Sequence, residues 1–312
     1  MHFRPAVDGD LDRLLGCVVD ESVSWAHPER LLSFLESGNY RYDHIWLALD
    51  EDSGEVLARA VWWGFPGGEP YALDCVYVHP SVPDRVATAA ELLERAHAAF
   101  GARPAYHVFL TGDWREDPKA LAGLAWRREA VARAGLTDEL ERLRFAWTSD
   151  EAVPEPSGRL VLRGDDDDEV FAEAFRRVAE GTLDHATRLA LRATDPLAQA
   201  RQDVAEYRQM PGDRSWWRLA YSAADGSLVG VALPSANNAG PVVGYLGVVP
   251  EHRGNGYVDD LLAEITRFHA ERGVQRVVAD TDRGNIPMAR AFERAGYRVF
   301  AVRLVLSAAP DA

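Results

Sequence analysis

The chain has 312 residues, 47% of them hydrophobic and 27% charged, with a formal net charge of −15 at pH 7. That length suits two domains of about 150 residues, each able to bury a core, which excludes a disordered chain. The negative balance argues against nucleic acid or an anionic membrane as partner, because both recruit clustered Lys and Arg, and it fits a cationic substrate better.

In chain order, "MHFRPAVDGDLDRLLGCVVDES" reads as a short strand, an acidic turn and a helix. The same opening lacks a signal peptide's apolar core, and no stretch approaches a membrane span, so a cytoplasmic protein is expected. Cys17 and Cys75 stand apart without CxxC spacing, so neither a disulfide nor a metal site is expected. "DHIWLALDEDSGEVLARAVWWG" follows as two β-rich runs around a Gly-containing hairpin loop, then "YALDCVYVHP" as an apolar strand closed by proline. Helix, strand, helix and strand complete the first half, with "ARAGL" just after its last helix.

Thr148 to Arg159, "TSDEAVPEPSGR", has the composition of a linker. The order then repeats through "RLVLRGDDDDEVFAEAFRRVAEG", "SWWRLAYSAADGSLVGVALPS", "VVGYLGVVP" and "ERAGY". We read a tandem duplication, with a first domain at 1–147, a linker at 148–159 and a second domain at 160–312. Asp165 to Asp168 with Glu169 are read as carboxylates at a helix N-terminus rather than as metal ligands. The pairs Trp62-Trp63 and Trp216-Trp217 are placed in strands, one ring to each face.

The stretch "YLGVVPEHRGNGYVDDLLAEI", Tyr245 to Ile265, is a strand, a glycine loop and a helix with Val258, Leu261, Leu262, Ile265 and Phe268 on one face. Gly254 and Gly256 let a ligand approach the backbone, and first-turn amides converge there, so the loop should bind a phosphate. Neither the dinucleotide fingerprint nor the P-loop Gly-Lys-Ser/Thr is present.

Arg253-Gly254-Asn255-Gly256-Tyr257-Val258, after a strand ending in Val-Val-Pro, resembles the acetyl-CoA-binding segment of the GCN5-related N-acetyltransferases, [QR]-x-x-G-x-[GA]. Val258 replaces the usual small residue. "NIPMARAFERAGYR" resembles the family's second segment, with Asn285 at the asparagine, Met288 for an alanine and Gly296-Tyr297 at the closing pair.

The resemblance implies two tandem domains of α/β class, each a mixed, mostly antiparallel sheet flanked by helices. It implies acetyl-CoA as co-substrate, a small-molecule amine as acceptor, no metal, and a monomeric pseudo-dimer or a homodimer. Backbone groups of Leu246, Gly247 and Val248 would pair with the pantetheine arm, amides from Arg253 to Val258 would hold the diphosphate, and Asn285 would lie beside the pantetheine.

Asp280 stands five places before Asn285, where several relatives carry a general base, and alternation in "VVADTD" puts Asp282 on the same face. Phe292 occupies the position of the family's tyrosine acid and is grouped with the cofactor contacts. The acceptor side is expected from "EGTLDHATRLALRATDP", where Asp184 and His185 form a loop pair.

The first half reads "VHPSVPDRVATAAELL" at the equivalent loop, with Pro83 and no glycine, and is taken as a degenerate copy. The alternatives are a non-catalytic acyl-CoA-binding or sensor module, or transfer of another acyl chain or to a mycothiol-type acceptor.

Overall fold

A computed structural model of the chain describes residues 1–17, 22–23, 27–237 and 239–309. The order is β1 (His2–Pro5), α1 (Leu11–Leu15), α2 (Pro28–Glu36), β2 (Ile45–Leu49), β3 (Val56–Trp63), β4 (Ala72–Val78), α3 (Arg85–Phe100), β5 (Tyr106–Thr111), α4 (Pro118–Arg133) and β6 (Asp138–Thr148). It continues with β7 (Leu160–Arg163), α5 (Asp168–Ala179), α6 (His185–Ala193), α7 (Pro196–Arg208), β8 (Arg218–Ser222), β9 (Leu228–Asn237), β10 (Gly240–Val248), α8 (Tyr257–Ala270), β11 (Arg276–Asp282), α9 (Ile286–Arg294) and β12 (Arg298–Ser307). Among the described residues, no helix is long and apolar enough to cross a membrane.

Two compact units result. The first is Met1–Arg142 with the segment from Ala301 onward, and the second is Leu143–Phe300. In the first, the strand order is β1-β2-β3-β4-β5-β12. Neighbours are antiparallel apart from β4 and β5, which α3 joins as a crossover. Leu14, Leu31, Tyr40, Ile45, Leu47 and Val61 form one of its cores.

The second unit has the order β6-β11-β10-β9-β8-β7. Its pairs from β7 to β10 are antiparallel, while β10 and β11 are parallel across the α8 crossover. Strand alternation feeds two cores. Along β9, Val231 and Leu233 face Phe171 and Phe175 of α5, Val204 of α7 and Trp217. Ala232 faces the other way, toward Leu261, Leu262 and Ile265 of α8, with Phe145, Trp147 and Phe292.

Unit boundaries fall within β6 and β12 rather than at the linker. A strand belongs to the sheet that takes its hydrogen bonds. The residues Ala301–Leu306 of β12 pair with Thr111–Tyr106 of β5 in the first unit. The irregular segment after β6 is tied to the second unit: Ser149 N donates to Gln275 O at 3.0 Å, and Arg298 Nη2 pairs with Glu151 at 2.8 Å.

Three local expectations are settled here. Asp184 and His185 do not form a loop pair: Asp184 caps α6 and His185 begins it. Trp216 lies in the short 3-10 turn Arg214–Trp216, not in a strand, because the Asp213 side chain caps that turn at Ser215 N. Asp167 caps α5 through Glu169 N at 2.9 Å, and Asp168 and Glu169 pair with Arg208, Arg214 and Arg201, so these carboxylates serve the helix end.

Candidate active site

Three glycines shape the strand that borders the site. At Gly244 a Cβ would stand 2.6 Å from Leu233 O, where the register of β10 against β9 shifts between Val242 and Tyr245. At Gly247 a Cβ would collide with Val178 Cγ1 of α5, and at Gly230 with Gly247 O. Beyond the shift, Leu246, Gly247 and Val248 pair with Ala232, Val231 and Gly230 on β9. On the other side, the register of β10 with β11 is Val242 opposite Val278, so the opposite edge of Leu246–Val248 lies beyond that pairing. Leu246 and Val248 pack against the α8 core, while Gly247 faces α5.

The loop after Pro250 is held from within. Arg253 Nε donates to Val248 O at 3.0 Å and Nη2 to Val178 O at 2.8 Å, so this guanidinium fastens the strand end to α5. Its backbone N–H is also spent, on Pro250 O at 3.2 Å. Asn255 Nδ2 donates to His252 O and Arg253 O, both at 3.2 Å. Gly254 and Gly256 have φ of 78° and 76°, the left-handed region that a β-carbon disfavours.

Gly256 is the N-cap of α8 and supplies no side-chain cap. Among the described helices of nine or more residues, every other one is capped by a side chain: His27, Asp84, Asp117, Asp167, Asp184, Asp195 or Asn285. Amides from Gly254 to Val258 meet no acceptor of the chain among the described residues. An uncapped turn with converging N–H groups is a place for an external anion. The first unit differs at the corresponding helix, where Asp84 Oδ1 accepts from Ala87 N at 2.9 Å and occupies the turn itself.

Tyr257 and Val258 open α8, half-buried. Tyr257 stands edge-on to His252, ring centroids 5.7 Å apart, and under the Arg159 guanidinium at 4.7 Å. Asn285 caps α9 through Met288 N at 3.4 Å. Phe292 is 2% exposed and stacks on Phe145 at 5.0 Å, with Tyr297 at 5.3 Å, inside the core.

The carboxylates gather at the end of β11. Asp280 Oδ1 accepts from Arg144 Nε at 3.2 Å. Asp282, buried, accepts from His185 N at 2.6 Å, which brings Asp184, His185 and Asp282 together at the start of α6. Asp184 Oδ1 accepts from Thr187 N at 2.8 Å. Nearby, burial raises the Asp203 pKa, and the Asp184 carboxylate pushes it the same way. Burial pushes the Tyr245 phenol well above its ordinary range, with Tyr207, Asp203 and Asp184 adding to it. The Tyr245 ring stacks on Phe175 at 4.4 Å.

Sequence reading missed Arg144, Arg159, Asp203 and Tyr245. Arg159 and Arg144 meet partners 101 and 136 positions away, so no local signal marks them. Asp203 and Tyr245 look like ordinary helix-surface and strand residues.

A family model described as the acetyltransferase (GNAT) domain matches residues 136–298. No curated protein matches the chain. Among solved structures, the chain is similar to a GCN5-related N-acetyltransferase from Sphaerobacter thermophilus, at 20% identity and a TM-score of 0.62, over 97% of this chain and 94% of that one. A GNAT-family acetyltransferase from Colwellia psychrerythraea matches at 11% identity and a TM-score of 0.53, over 99% and 100%. A tandem GNAT protein from the clavulanic acid biosynthesis pathway matches at 19% identity and a TM-score of 0.54, over 100% and 99%. Likeness at these identities concerns the fold, and the family model covers the uncapped loop, the strand Leu246–Val248 and the β11 carboxylates. The chain belongs to the GNAT acetyltransferase family, whose members transfer an acyl group from acyl-CoA.

Proposed function

We propose that the second unit transfers an acetyl group from acetyl-CoA to the amine of a small molecule. The observation that carries this reading is the uncapped first turn of α8 behind left-handed Gly254 and Gly256. Amides from Gly254 to Val258 hold the diphosphate, and the edge of Leu246–Val248 takes the pantetheine amides as an added strand. A backbone N–H on that edge polarises the thioester carbonyl. With Asp84 capping its own helix, the corresponding turn of the first unit is already occupied, which supports reading it as a degenerate copy.

In the reaction, the amine nitrogen attacks the carbonyl carbon, the C–S bond breaks, and CoA leaves as thiolate. A thiol pKa of about 8.5 makes that departure feasible without an acid, so Phe292 is tolerable. An alkylamine, pKa about 10.4, must lose a proton, and this is the task assigned to Asp280. Asp184, His185 and Asp282 wall the acceptor side, and Asp203 adds to an acidic setting suited to a cationic acceptor.

One observation favours a second reading, an acyl-CoA sensor: Phe292 is buried in the core and supplies no proton. The deciding experiment incubates the protein with acetyl-CoA and a panel of amines, aminoglycosides and amino acids, and follows free thiol. Amine-dependent thiol release supports the transferase. CoA binding without release on any amine favours the sensor, and absence of CoA binding overturns both.

A further inference from the structure

Two carboxylates stand at the turn that is to receive a diphosphate. Asp259 and Asp260 are the third and fourth residues of α8. The helix dipole favours them there, yet they repel any anion arriving at the same amides. Each is matched by an arginine. Asp259 pairs with Arg294 at 2.6 Å, and Asp260 pairs with the Arg159 guanidinium.

The two pairs differ in exposure. The Asp259 side chain is 42% exposed, so water and salt already attenuate its charge, whereas that of Asp260 is 11% exposed. Arg159 is also built into the loop. Its Nη1 donates to Asn255 O at 2.9 Å, its guanidinium lies 4.7 Å over the Tyr257 ring, and its Nη2 stands 3.6 Å from where a Cβ on Gly256 would be. One guanidinium thus meets the loop backbone, the first helical residue and the more buried of the two first-turn carboxylates.

We propose that Arg159, from the segment preceding β7, is a positioning residue for acyl-CoA: it neutralises Asp260 and thereby makes the α8 turn able to accept the diphosphate. This rests on the acyl-CoA reading above. Because the effect passes through Asp260, removing that charge should make Arg159 largely dispensable. Repulsion between Asp260 and the diphosphate also makes the effect specific to ligands carrying phosphate, and weaker as salt rises.

The test is calorimetric titration of CoA, with pantetheine as a probe lacking the diphosphate, into wild type, Arg159→Ala, Asp260→Asn, the double variant and Arg294→Ala. Thermal denaturation of each reports on folding. Arg159→Ala should weaken CoA about tenfold in low salt, a gap that narrows in high salt, with pantetheine unchanged. The double variant should return to within about threefold of wild type, the residue reflecting the lost tie to Asn255 O, and Arg294→Ala should cost less than about twofold. A double variant as weak as Arg159→Ala would overturn the proposal, as would a wild-type affinity in Arg159→Ala or an equal loss of pantetheine. A wild type that binds no CoA removes the acyl-CoA reading itself, and this proposal with it.

Discussion

Arg144 Nε donates to Asp280 Oδ1 at 3.2 Å, fixing a carboxylate of β11 with a guanidinium from β6. Asp280 therefore stands oriented on the same strand as Asp282, whose carboxylate meets the start of α6. With Asp280 as the base that takes the acceptor's proton, Asp280→Asn lowers kcat/KM by about 10²-fold or more while CoA affinity stays. Steady-state kinetics on the best amine, with CoA titration alongside, checks this. An unchanged kcat/KM moves the assignment to Asp282 or His185.

Capping chemistry supplies a second expectation. Gly256→Asp places a carboxylate on the α8 amides, as Asp84 does on α3, and competes with the diphosphate directly. Gly256→Ala brings only the left-handed strain of about 1–2 kcal/mol. CoA affinity should therefore fall more than about tenfold further in Gly256→Asp than in Gly256→Ala. Equal losses in the two variants would show that strain, not the cap, is the controlling factor.

Gly247 tests the strand. Any Cβ there meets Val178 Cγ1. Gly247→Ala should destabilise the second unit by about 1–3 kcal/mol, and by clearly less in a Val178→Ala background where the methyl groups are gone. Denaturant unfolding of the four proteins in the cycle measures the coupling. Additive losses would mean that the strain is relieved elsewhere.

His97 gives the first unit a pH-dependent stability. The ring is 5% exposed beside Trp62, and burial, with Arg103 adding to it, lowers its pKa from an ordinary 6.5 to about 4. The unfolded chain then binds more protons than the native one between those values, so the stabilisation is complete above about pH 6.5 and is lost as pH falls toward about 4. The size is about 3 kcal/mol. Urea unfolding at several pH values should show this slope in wild type and a flatter one in His97→Phe.

Features that depend on neighbours in the chain were legible in the sequence. Proline at a strand end, two glycines at left-handed turns and an amphipathic run are each local, so the loop from Arg253 to Val258 and the repeated order of elements could be read directly. Gly254 and Gly256 do take the conformation that only glycine adopts freely. Other features depended on partners far along the chain. That α8 is uncapped became informative only once the other long helices proved capped. Arg159 looked like the end of a linker until its guanidinium met Asp260, 101 residues away. Phe292 read as a missing acid, and folding made it part of the core, stacked on Phe145. Asp280 and Asp282 share a face by alternation alone, but tertiary packing gave one to Arg144 and the other to the amide of His185. Local conformation is set by short-range sterics and hydrogen bonds, which a sequence states openly. Charge pairing and strand partnership are decided by which distant groups burial brings within about 3 Å, and only the folded chain specifies those.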